Sequence, residues 1–155
     1  MDNSTPAEPV VLLDRLAEKA SLLARSLNAA ADAAAADAGL TKADADVLVT
    51  LHDAPEHRLK PSTLATLCDL SSGGTSNVIL RLTRAGYVNR EAHLHDGRSS
   101  WAQLTPEGEN VARFVLESAA SGRATLLRRW PDGLAHTLDE LLDTALRHIE
   151  DHSLR

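Results

Sequence analysis

The sequence is poor in aromatic residues: two Trp, one Tyr and one Phe in 155 residues, or 3%, against a hydrophobic fraction of 43%. A core built from such a chain must rest on Leu, Ala, Val and Ile. That disfavours a β-sandwich and favours packed helices. A single cysteine, Cys68, excludes a disulfide framework within the chain. No run approaches the roughly 20 apolar residues that a membrane span requires. The first eight residues show no basic region followed by an apolar run, so no secretory signal is read and the cytoplasm is the expected location. No nucleophile elbow, phosphate-binding glycine loop or placed pair of carboxylates is present, so the chain is not read as an enzyme and no cofactor is expected.

Charge is also short of one sign. The formal net charge is −6, which taken alone argues against a nucleic-acid partner. Its distribution argues the other way. Between Arg58 and Gln103 stand six basic residues (Arg58, Lys60, Arg81, Arg84, Arg90, Arg98) and three acidic ones (Asp69, Glu91, Asp96), a local net of +3 in an acidic chain.

The length suits one domain with a real core. Leu13, Leu16, Ala20, Leu23, Leu27, Ala30 and Ala34 recur at alternating spacings of three and four, predicting a long helix over 10–36 with a heptad-like seam that stops at Gly39. A second helix is expected from Leu40 to His52, with Ala45, Leu48, Val49 and His52 on its stripe. After a loop with room for a short strand, Pro61 opens a third helix that ends near Cys68, with Leu64, Leu67 and Cys68 facing inward. Cys68 reads as a small core residue rather than a redox thiol. Ser71 is a good N-cap for a fourth helix, with Thr75, Ile79 and Leu82 inward and Gly86 as its stop. Two short helices joined by a tight turn suggest a helix-turn-helix.

After Gly86 the period changes. Tyr87–Ala92 and Trp101–Leu104 read as strands around a tip containing Asp96-Gly97, a β-hairpin placed as a wing. Thr105-Pro106 opens a further helix towards Trp130, with Gly122 as a possible bend. Pro131-Asp132-Gly133 forms a turn, and a last helix from Leu134 to Asp151 carries Leu138, Leu141, Leu142, Ala145 and Ile149 on one face. The expected fold class is mainly α with a small β-wing. His93-x-His95 and the His148/His152 pair each offer two metal ligands where zinc needs three or four, so no metal is expected.

On the fourth helix Asn77, Arg81 and Arg84 share a face opposite Ile79 and Leu82. Asn can pair with adenine and Arg with guanine in the major groove. Gly73 and Gly74 in the first turn cost helix stability. Either they admit a phosphate to backbone N–H groups, or they let this helix pack near the third.

The pieces KPSTLA (60–65), LSSGGTSN (70–77), RLTRAGYVNR (81–90), DGR (96–98) and LTPEG (104–108), in this order and spacing, resemble the MarR family of winged helix-turn-helix transcriptional regulators. The resemblance is densest from Leu40 to Gly108; the flanking helices match by pattern only. It implies one domain over 1–155, with a DNA-binding lobe at about 40–104 and dimerisation helices at about 10–38 and 105–152. It implies DNA contacts from Ser62, Thr63, Ser72, Gly73, Gly74, Ser76, Asn77, Val78, Arg81 and Arg84, with Arg98 in the minor groove and Asp96 orienting it. Related sequences often carry a basic residue where Val78 stands and an acidic one where Leu80 stands, and Val78 is the candidate for a thymine methyl. Dimerisation is assigned to Leu13, Leu16, Leu23, Leu138, Leu141, Leu142 and Ile149, so that two recognition helices lie about one DNA turn apart on a pseudo-palindromic operator. The implied activity is repression relieved by a small-molecule effector, for which the sequence offers no identity. A winged-helix module that binds a protein partner is the alternative, supported by the net −6 and the missing basic residue at Val78.

Overall fold

The computed structural model describes residues 8–92 and 100–153. Among these the chain forms six α-helices and three short strands: α1 (Glu8–Asp37), α2 (Lys42–Asp53), β1 (Arg58–Leu59), α3 (Pro61–Leu67), α4 (Ser72–Arg84), β2 (Val88–Ala92), β3 (Ser100–Leu104), α5 (Pro106–Leu127) and α6 (Leu134–Ser153). Contacts divide the chain into two compact units, one up to Ala120 and one from Ser121. No described helix is long and apolar enough to cross a membrane.

In the first unit the strands form an antiparallel sheet of order β1-β3-β2, with Val88 opposite Leu104 and Leu59 opposite Ala102. Val88, Ala102 and Leu104 point inward and join Val47, Leu48 and Leu51 of α2, Leu64 of α3, Val78, Ile79 and Leu82 of α4 and Ala112 of α5 in the main core. Small residues make a second cluster: Ala34 and Ala35 of α1, Ala45 of α2, and Val115 and Ala119 of α5. Alanine there has a packing use, since it lets helix backbones approach closely.

The expected stripe of α2 was displaced by one position. Val47 and Leu51 are fully buried with Leu48 and Ala45, whereas Val49 and His52 are only half-buried. On α3, Leu67 is 61% exposed and not inward, because the helix ends there, while Leu64 fills the core. Gly122 does not end α5, which is one helix from Pro106 to Leu127.

The turn from α4 into the sheet explains two glycines. Gly86 has φ +81°, and it lets the Gly86 and Tyr87 N–H groups close onto the carbonyls of Thr83 and Leu82 at 3.1 and 2.9 Å. Thr105 then fastens the start of α5 to this turn. Its N–H donates to Tyr87 O at 3.0 Å, its hydroxyl donates to Gly86 O at 2.7 Å and the same oxygen accepts from Gly108 N–H at 3.0 Å. A Cβ on Gly108 would lie 2.0 Å from Tyr87 O, so only glycine permits this approach.

In the second unit α6 is amphipathic by sequence, yet Leu141, Leu146 and Ile149 are 62%, 54% and 61% exposed. The first half of α1 is similar: Leu12, Leu13, Leu16 and Leu22 are all more than half exposed.

Candidate nucleic-acid interface

The Ser71 hydroxyl starts α4 by accepting the Gly74 N–H at 3.1 Å. The helix then separates two faces. Thr75, Val78, Ile79 and Leu82 are buried, and the two threonines on or beside that face return their hydroxyls to the helix backbone, Thr75 to Ser71 O at 3.0 Å and Thr83 to Ile79 O at 2.8 Å. The outer face presents Ser72, Gly73, Ser76, Asn77, Leu80, Arg81 and Arg84 to solvent.

Val78 therefore cannot touch a base as expected. At 4% exposure it belongs to the core, because the 3.6-residue period that buries Ile79 and Leu82 also carries Val78 inward. The apolar side chain on the outer face is Leu80, 42% exposed, which the sequence reading named only as a departure from related sequences. Its signal was available: Leu80 follows Ser76 by four residues and Asn77 by three, and precedes Arg84 by four.

Arg81 shares the outer face, but its guanidinium is engaged. Nε and Nη2 both donate to Asp44 Oδ1, at 3.0 and 2.6 Å, and Nε also reaches Oδ2 at 3.3 Å. Asp44 is a buried acid in the first turn of α2. Its Oδ2 accepts from the Thr41 N–H at 3.1 Å and the Thr41 hydroxyl at 2.6 Å, closing a capping box. Burial alone would raise the Asp44 carboxyl, but the hydrogen bonds from Arg81 and Thr41 outweigh it and hold the group below its usual range. Arg81 thus ties α4 to the start of α2.

The two glycines differ. A Cβ on Gly74 would meet Ser71 Oγ at 3.1 Å, so this glycine makes room for the cap. A Cβ on Gly73 would meet nothing within 4 Å, so packing against α3 does not explain it. Ser62 and Thr63 stand exposed in the first turn of α3. Asp96 and Arg98 lie outside the described residues. At the base of the wing Arg58 and Lys60 approach the ring of Trp101, at 5.3 and 5.6 Å from its centroid. Cys68 is partly buried beside α2, its sulfur 3.4 Å from Thr50 Oγ1, and burial pushes its thiol up. No cluster of three or more metal ligands occurs among the described residues.

The model of the MarR family matches residues 38–99. Over that stretch the chain is similar to the MarR family. A curated relative, the HTH-type transcriptional repressor YetL of Bacillus subtilis (strain 168), is 30% identical over 94 residues, which cover 61% of this chain and 56% of that repressor. The match thus spans little more than half of the relative's length. Two solved MarR family transcriptional regulators of Streptomyces coelicolor are similar across nearly the whole chain. Sco3205, crystallised in complex with DNA, is 26% identical, with 96% of this chain and 91% of that one covered and a TM-score of 0.68. AbsC is 25% identical, with 97% and 99% covered and a TM-score of 0.69. Within the matched stretch α3 and α4 stand as the helix-turn-helix, and β2 pairs antiparallel with β3 as the strands of the wing.

Proposed function

We propose that this chain is a homodimeric, sequence-specific DNA-binding transcriptional regulator with α4 in the major groove and the wing on the minor groove. The observation that carries this reading is the outer face of α4. Ser76, Asn77 and Arg84 stand exposed on a helix whose inner face is locked into the core. The chain's similarity to Sco3205, solved with DNA, supports it, as does the basic segment around this helix. Asn77 and Arg84 are the base-reading and phosphate-contacting candidates on α4, while Ser62 and Thr63 set register on the backbone. Gly73 leaves the first-turn N–H groups open to a phosphate. Arg98, oriented by Asp96, is assigned to the minor groove on the family resemblance alone.

The dimer reading rests on exposed leucine. Leu13 and Leu16 on α1 and Leu141, Leu142 and Ile149 on α6 are each between 47% and 64% exposed, and Leu23 and Leu138 are half-buried beside them in sequence. A second subunit covering these faces would bring two α4 helices onto one operator. Sedimentation of a Leu16→Asp, Leu141→Asp double variant tests this: monomers are expected where the parent is a dimer, and a parent that sediments as a monomer refutes it. YetL is named a repressor, and we read repression relieved by a small-molecule effector in this chain also. In this reading the ligand relieves repression by population shift, preferring a dimer whose recognition helices are misspaced.

Selection from random-pool DNA, read by fluorescence anisotropy across a salt series, tests the central claim. A near-palindrome with half-sites about 10 base pairs apart is expected, with affinity falling steeply in salt. Weak binding that selects no sequence would favour the second reading, a winged-helix module for a protein partner, which the net charge of −6 and the exposed Leu80 support.

A further inference from the structure

The outer stripe of α4 runs Gly73, Ser76, Asn77, Leu80, Arg84, and every member but one is polar or lacks a side chain. Leu80 is not needed by the core. Val78, Ile79 and Leu82 already fill the inner face at 4%, 0% and 1% exposure, and Leu80 packs with none of the core clusters. A single exposed leucine is ordinary on a protein surface. Its place is what matters here, one turn from Asn77 on one side and one turn from Arg84 on the other.

The neighbouring arginine sharpens the point. Arg81 spends both Nε and Nη2 on Asp44, at 3.0 and 2.6 Å. Turning that edge towards a guanine would take the cation from a buried carboxylate, which is strongly unfavourable, so only the remaining Nη hydrogens of Arg81 are left for another partner. At this turn of the helix Leu80 is the exposed side chain that belongs to neither core cluster. Leucine offers no donor or acceptor. The apolar feature in the major groove is the C5-methyl of thymine, and a cytosine or guanine edge set against Leu80 would lose water without gaining a partner.

We propose that Leu80 reads a thymine 5-methyl group in each half-site, and that Arg81 is a positioning residue that fixes α4 on α2 rather than a base reader. This rests on the DNA-binding reading above. The inference moves specificity from hydrogen bonding to apolar contact at the centre of the recognition helix.

The test uses the full-length protein and the operator recovered from random-pool selection. Each thymine is replaced in turn by deoxyuridine, which removes the methyl and leaves base pairing intact. One thymine per half-site is expected to stand out, its replacement weakening binding about fourfold, the worth of one buried methyl group. Leu80→Ala should bind the thymine and uracil duplexes equally, with its fold checked by circular dichroism. Asn77→Ala should bind both more weakly and keep their ratio. Arg81→Lys should lower affinity with the selected sequence profile unchanged. Equal affinity of the parent protein for thymine and uracil at every position overturns the Leu80 contact while leaving DNA binding intact. So does a ratio that survives Leu80→Ala. A guanine preference lost in Arg81→Lys overturns the positioning role. Failure of the parent to select any sequence removes the DNA-binding reading and this inference together.

Discussion

Asp44 joins the helix cap of α2 to α4, so its removal should act in two places. Asp44→Ala deletes the acceptor of the Thr41 N–H and hydroxyl and of the Arg81 guanidinium. Loss of a helix cap costs about 1 kcal/mol. A charge-assisted hydrogen bond is worth about 1.5–3 kcal/mol when buried, but the Arg81 side chain is 51% exposed and solvent screens it, so about 1 kcal/mol is the fair share. The expected loss is about 2 kcal/mol in urea unfolding, followed by far-UV circular dichroism at fixed protein concentration and pH 7. In a cycle with Arg81→Ala the two changes should couple by about 1 kcal/mol, since each deletes the same ion pair. The sign of the pH effect follows from the lowered carboxyl. Its stabilisation is present above the ordinary value of 3.8 and is lost as pH falls through the depressed folded value. The gap between the parent and Asp44→Asn should therefore be open at pH 6 and close below pH 3.8. A loss under about 0.5 kcal/mol, or strict additivity with Arg81→Ala, would refute the tie between α2 and α4.

Gly73→Ala should raise stability by roughly 0.5–1 kcal/mol, because the added methyl meets nothing and alanine favours the helix, while weakening DNA affinity in the anisotropy assay. Gly108→Ala should lower stability by about 1–3 kcal/mol in the same urea assay, since its Cβ would be driven into Tyr87 O. Burial raises the Cys68 thiol, so the rate of alkylation by iodoacetamide should reach half its maximum above pH 9.0, the ordinary thiol value, and unfolding in urea should restore ordinary reactivity.

Much of the architecture was legible because each element carries its own punctuation. Ser71 and Thr105 start helices through hydroxyl caps, Gly39 and Gly86 stop them at φ +70° and +81°, and Pro61 and Pro106 occupy first turns. The site was legible as a helix but not as a surface. The inner face of Thr75, Ile79 and Leu82 on α4 was read from the period, but Val78, assigned to DNA by resemblance, joins that face, and Leu80 lies outside it. Asp44 and Arg81 stand 37 residues apart, so no local pattern could pair them.

The sequence by itself determined the order and ends of the helices, the hairpin and the basic middle of an acidic chain, because caps, breaks and charge are properties of neighbouring residues. Only the tertiary structure decided how the side chains of α4 are engaged. Arg81 is charged and exposed, yet its Nε and Nη2 are held because α2 brings a buried carboxylate beside it. Leu80 is apolar and by composition belongs inside, yet it faces out because Val78, Ile79 and Leu82 have already filled the space that the core provides.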